Sequence, residues 1–142
     1  MRLHRLLQII RENLELLDAR IGSEGVDKIL EDKFYLLAAL HALQLASQAL
    51  IDLASHVISE AGIAVPASYS EVSHHLIEAG ILDESDAQLF RRIVGFRNVV
   101  VHQYAAVDLG LVGEVLRGRK YMDIARLALA ISRWAEERGL DP

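Results

Sequence analysis

Arg97, His102 and Tyr104 bring a forked cation, a proton-transfer group and a phenol into one short stretch, Arg97-Asn98-Val99-Val100-Val101-His102-Gln103-Tyr104. Phe90, Ile93 and Val94 precede Arg97 by seven, four and three residues, so the arginine shares their helix face and should project from the packed side. A guanidinium among apolar groups costs several kcal/mol unless it finds a partner or lines a wet cleft, so a site or an interface is implied. Histidine titrates near neutrality and suits proton transfer. Five residues apart on a continuous helix, Arg97 and His102 point about 140° from one another. Either the helix loosens across the three β-branched valines, or the two side chains meet across a pair of subunits. Taken alone, Arg97 also reads as a structural charge and His102 as a hydrogen-bonded core residue.

The elements that must carry these residues are all helical. Leu3, Leu6, Leu7, Ile10, Leu14 and Leu17 mark an amphipathic first helix ending near Gly22. A long second helix is expected from about Asp27 to Glu60, carrying Leu30, Phe34, Leu37, Leu40, Leu43, Leu50, Leu53 and Val57 and spanning roughly 50 Å. Gly62 and Pro66 close it, Ser70 is placed to cap a short third helix ending before Gly80, and Asp83 or Ser85 starts the helix of Arg97. Asp108 is expected to cap a helix through Leu116, and Tyr121 to Arg138 forms the last. Neither strand alternation nor internal repeats interrupt this pattern. The second helix is apolar around much of its circumference, which suits packing on both sides and a symmetric dimer, with Leu43 and Leu50 expected either in the core or at the interface, depending on the face each occupies. Its polar row, Gln44, Gln48, Asp52 and His56, reads first as a hydrogen-bonded seam.

A chain of 142 residues suits one domain, 1–142, with a core that needs no staples. Without cysteine there are no disulfides and no thiolate sites. No unbroken apolar run reaches membrane-span length, and the amino terminus lacks a signal-peptide pattern, so the expectation is a cytoplasmic protein without a membrane partner. The net charge of −5 disfavours a protein that coats nucleic acid electrostatically. Charge is nevertheless unevenly spread: no Lys or Arg occurs from Phe34 to Phe90, then Arg91, Arg92 and Arg97 arrive together, followed by Arg117, Arg119 and Lys120. That distribution suits a local phosphate-binding patch, with Arg91 and Arg92 as weak candidate phosphate contacts.

Arg97, His102 and Tyr104 form R-x4-H-x-Y, and the chain resembles a HEPN domain of the HepT-like toxin type. The resemblance extends over nearly the whole chain: the helix order, Ala42-Leu43-Gln44, Ile51-Asp52-Leu53-Ala54-Ser55-His56, the Pro66 to Tyr69 segment, and Gly95-Phe96-Arg97-Asn98. It departs at Gln48, where an acidic residue is expected in many relatives. The resemblance implies an all-α, up-and-down bundle of about five to six helices and a symmetric homodimer with two R-x4-H motifs beside one cleft. It also implies a metal-independent endoribonuclease needing no cofactor, in a type VII-like HEPN/MNT toxin–antitoxin system. RNA carries its own nucleophile, the 2′-hydroxyl, so His102 would handle protons, Arg97 would hold the phosphate, and Asn98 would orient either group. The implied partner is an MNT-type nucleotidyltransferase antitoxin that transfers AMP from ATP to Tyr104, filling the substrate-phosphate position with a charged group.

Other chemistry is weaker. Asp52 and His56 share a helix face, but no repeat completes a metal site, and His74 and His75 cannot face the same way. There is no glycine-rich phosphate loop. Tyr35, Tyr69 and Tyr121 read as packing residues with bonded hydroxyls rather than base-stacking platforms. The alternative to a nuclease is a catalytically idle helical subunit that binds nucleotide or docks a nucleotidyltransferase.

Overall fold

Asp32 divides the apolar stretch expected as one helix. Its backbone is extended (φ −93°, ψ 113°), and its carboxylate accepts hydrogen bonds from the amides of Phe34 at 2.9 Å and Tyr35 at 3.2 Å. A side chain that satisfies the free amides of a new first turn is worth about 1 kcal/mol and offsets part of the cost of interrupting the helix. The computed structural model describes residues 2–63, 68–102 and 107–140. The described residues form α1 (Arg2–Glu24), α2 (Val26–Glu31), α3 (Lys33–Glu60), α4 (Tyr69–Glu78), α5 (Glu84–His102), α6 (Leu109–Arg117) and α7 (Met122–Glu137). The break at Asp32 accounts for the seventh helix and shortens the long one to about 42 Å.

Local chemistry explains the other boundaries. Asp108 caps α6, accepting from Gly110 N at 2.9 Å and Leu111 N at 3.3 Å. Asp83, with Oδ1 2.8 Å from Asp86 N, starts α5. Ser68, rather than Ser70, caps α4, because its hydroxyl accepts from Glu71 N while Tyr69 is already helical. Gly80 (φ 72°) ends α4 in the left-handed conformation, letting Ile81 N reach Leu76 O at 3.0 Å.

α3 is the central helix, packed by α1, α2, α4, α5 and α7. Alanines 39, 42, 46, 49 and 54 are buried along it and let neighbours approach, while Leu40, Leu43, Leu50, Leu53, Val57 and Ile58 fill the core. Leu43 and Leu50 are both enclosed within this one chain, so neither lies on a surface that a second subunit could cover. The apolar surface α3 leaves open is elsewhere, at Phe34 (79% exposed) and Leu45. α3 has the length and mean hydropathy, 1.5, of a membrane span, but half of that window is buried by its neighbours. Gln44, Gln48, Asp52 and His56 are all half-buried, and Gln48 Nε2 donates to Asp52 Oδ1 at 2.9 Å, the first link of the expected seam.

The corner between α6 and α7 is held by Asp18 of α1, which accepts from Arg119 Nη2 at 2.7 Å and from the Tyr121 hydroxyl. Arg119 is the one non-glycine residue among the described ones with a left-handed backbone, φ 49°, and its bond to Asp18 offsets that strain. The hydrogen bonds of Arg119 and then Tyr121 hold the Asp18 carboxyl below its usual range, whereas burial, helped by Asp18, pushes the Tyr121 phenol up to about 12. A depressed carboxyl contributes stability above its unfolded value of 3.8 that is lost as pH falls through the folded value. Asp18→Asn is therefore expected to lower the melting temperature at pH 7, with the gap from wild type narrowing below pH 4. Thermal unfolding followed by circular dichroism across pH checks this, and a gap that is constant with pH refutes it.

Candidate functional site

α5 runs unbroken through Val99, Val100 and Val101 to His102. The valines do not loosen the helix, because Val100 is fully buried and Val101 half-buried against the bundle, where packing outweighs their modest helix propensity. Two sides of α5 therefore carry different groups. Ala87, Phe90, Val94 and Val100 face the core, and Arg97 falls within their arc, half-buried, as its spacing requires. Arg91, Arg92, Gly95 and Val99 are exposed on the other side. The helical register puts the backbone of His102 on that exposed side; its side chain, together with Gln103 and Tyr104, lies outside the described residues.

Two contacts and one unpartnered nitrogen define the surroundings of Arg97. Its Nη1 donates to Asn98 Oδ1 at 3.0 Å, and its guanidinium carbon lies 5.8 Å from the ring centre of Tyr69 on α4. Its Nε is buried with no hydrogen-bond partner among the described residues. The guanidinium thus has one end engaged, a π-face nearby and donors to spare. Tyr69 departs from the expected packing role, being 38% exposed beside a cation. Tyr121 and Tyr35 meet that expectation: Tyr121 is buried with its hydroxyl on Asp18, and Tyr35 reaches Glu24 at 3.5 Å.

The basic residues that follow Arg97 in sequence do not join it. Arg117 is paired with Asp27 of α2, and Arg119 with Asp18 of α1, in bridges that link distant helices. Of the phosphate patch suggested by sequence order, Arg117 and Arg119 are thus engaged elsewhere, while Arg91 and Arg92 on α5 are open to solvent. Among the described residues no group of three or more potential ligands gathers within reach of one metal ion. Exposed His74 contacts Glu78 at 3.0 Å, one turn along α4. A groove of about 410 Å³ between α1 and α7, floored by Leu7, Ile10 and Leu14, contains none of the α5 residues.

The ribonuclease HepT-like family matches residues 10–131, and the chain belongs to that family. A protein of Archaeoglobus fulgidus assigned as an RNase is 29% identical over 105 residues, 74% of this chain and 78% of that one. The mRNA nuclease HepT of Shewanella oneidensis is 27% identical over 75 residues, 53% of this chain and 56% of that one. The same all-α fold occurs in a tri-AMPylated HEPN toxin of Shewanella oneidensis in complex with an MNT antitoxin. That structure is similar with a TM-score of 0.81 at 20% identity, over 93% of this chain and 97% of that one.

Asn98→Ala frees Nη1 of Arg97 and removes the hydrogen bond that holds one end of the guanidinium at a part-buried site. Ribonuclease activity is expected to fall several-fold with an unchanged circular dichroism spectrum. Full activity in this variant would show that Asn98 does not orient the arginine.

Proposed function

We propose that this chain is a metal-independent endoribonuclease toxin of a type VII-like HEPN/MNT system, acting in the cytoplasm as a homodimer with a composite site. The observation that carries this reading is the unbroken course of α5. Arg97 lies on its packed side and the His102 backbone on its exposed side, about 140° away. Side chains so divided reach one phosphate most simply when Arg97 comes from one copy and His102 from the other. The exposed side of α5 suits that approach: Gly95 has open space around it, and Val99 presents a β-branched apolar side chain that is 36% exposed. A glycine inside a helix costs close to 1 kcal/mol relative to alanine, and no contact among the described residues requires one here. Close approach of a second helix supplies the reason.

In this reading His102 takes the proton of the 2′-hydroxyl or supplies one to the 5′-leaving oxygen. Attack of the 2′-oxygen on the neighbouring phosphorus breaks the bond to the 5′-oxygen and leaves a 2′,3′-cyclic phosphate. Arg97 binds the charge that grows on the phosphoryl oxygens. Arg91 and Arg92, exposed on α5, hold phosphates of the strand alongside. The nucleophile belongs to the substrate, so no metal-activated water is needed. The resemblance to HEPN toxins found with MNT antitoxins supports regulation by a nucleotidyltransferase that joins AMP to Tyr104. Tyr104 is two residues beyond His102, so a phosphodiester on its phenol would bring negative charge within reach of Arg97 and the nucleoside across the RNA path.

Mixing subunits tests the composite site. Arg97→Ala and His102→Ala dimers should each be inactive, since each group contributes several kcal/mol of barrier lowering. Heterodimers of the two variants retain one intact site, so an equal mixture after subunit exchange should recover about a quarter of wild-type cleavage. No recovery, with exchange verified by mass, refutes the division between copies. Cleavage should also survive a chelator and leave cyclic phosphate ends; 5′-phosphate products would reject the mechanism, and an inert wild-type dimer would favour the idle-subunit alternative.

With the partner nucleotidyltransferase, ATP and magnesium, peptide mass mapping should find AMP on Tyr104. Tyr104→Phe should still cleave RNA and resist silencing. AMP found on Tyr69 or Tyr121 instead would remove Tyr104 from this role.

A further inference from the structure

We infer that Tyr69 is a positioning residue for Arg97, its ring face holding the guanidinium in the orientation that binds the scissile phosphate. The inference rests on the ribonuclease reading of Arg97 and adds a residue from a different helix to that site. Arg97 sits 5.8 Å from the Tyr69 ring centre, within the range of cation–π attraction. Tyr69 is the first residue of α4, immediately after the Ser68 cap, and α4 packs directly against α5. A short capped helix thus sets where the ring stands relative to the arginine. Tyr69 keeps 38% of its surface open, so its ring stands at the surface beside the arginine and is not enclosed in the core as Phe90 is.

The remaining contacts give this placement a consequence. Asn98 engages one N–H of Nη1, and Nε is enclosed, so the remaining N–H groups at the Nη end of the fork are the ones to meet an anion. With Asn98 at one edge and the ring at its face, rotation of the guanidinium is restricted about two different directions. A pre-oriented donor loses less freedom when charge develops on the phosphoryl oxygens, so its benefit appears in the transition state more than in substrate binding. The ring supplies this through its π-face, not its hydroxyl, which separates positioning from hydrogen bonding or from simple space filling.

The test compares Tyr69→Phe, which keeps the π-face, with Tyr69→Leu, which keeps apolar bulk without it. Steady-state cleavage of a fluorogenic RNA oligonucleotide should show kcat within about twofold of wild type for phenylalanine. For leucine, kcat should fall about threefold to thirtyfold, with KM changed less and the melting temperature maintained. In nitrogen-edited NMR spectra, the Arg97 Hε resonance should move in the leucine variant and stay in place in the phenylalanine one. If leucine unfolds the chain, pentafluorophenylalanine at position 69 keeps the volume, reverses the ring quadrupole and should lower kcat as leucine would. Unchanged kcat in Tyr69→Leu while Arg97→Ala is inactive overturns the inference, as does equal loss in Phe and Leu variants. Full cleavage by Arg97→Ala instead overturns the ribonuclease reading; the positioning contact is then judged by NMR alone, and an unmoved Hε resonance in Tyr69→Leu overturns it.

Discussion

The placement of a permanently charged guanidinium on the packed side of α5 is the constraint around which this end of the molecule is built. Arginine does not deprotonate to escape burial, so its surroundings must compensate the charge or leave it a route to solvent. Asn98 supplies an acceptor and Tyr69 a π-face, while the half-buried position keeps part of the group open. No carboxylate pairs with Arg97 among the described residues. An acid there would satisfy the arginine and remove its capacity for a substrate phosphate. The incompletely satisfied charge is thus consistent with a binding role, at a cost in stability that the rest of the bundle offsets.

That compensation comes from α3 and the helices around it. Alanines along α3 allow close approach from several sides, and the leucines between them fill the space left. Polar groups on the same helix are confined to one drifting row, where Gln48 bonds to Asp52 one turn later. Glutamine at position 48 suits this arrangement, since a carboxylate there would face that of Asp52 and each would disfavour ionisation of the other.

Acidic and basic residues are also divided by task. Asp18 and Asp27 hold Arg119 and Arg117, joining helices far apart in sequence. Such exposed pairs contribute modestly to stability, but they remove two arginines from any phosphate-binding surface. The arginines of α5 keep their charge available within a chain of net charge −5. An acidic body disfavours indiscriminate binding of nucleic acid, and α5 contributes exposed Arg91 and Arg92 against that background.

Helical class, the order of the elements and the packed-side position of Arg97 were all legible in the sequence, because each depends on the spacing of apolar residues along one helix or on a cap beside it. The R-x4-H-x-Y motif and its surroundings were likewise sufficient to recognise the family. Tertiary structure decided what depends on residues distant in sequence. No periodicity could show that Tyr69 stands beside Arg97, since they belong to different helices whose meeting is set by packing. Proximity in sequence grouped Arg117 and Arg119 with the α5 arginines, and only the folded chain brought Asp27 and Asp18 to them. The break at Asp32 was legible in its residue type but not in the apolar pattern, which continues across it; the competition between a cap and one more turn is settled by how α2 and α3 pack. Val99 to Val101 showed the opposite balance, a weak local preference overruled by burial, because packing one face of a helix is worth more than the propensity of three residues within it.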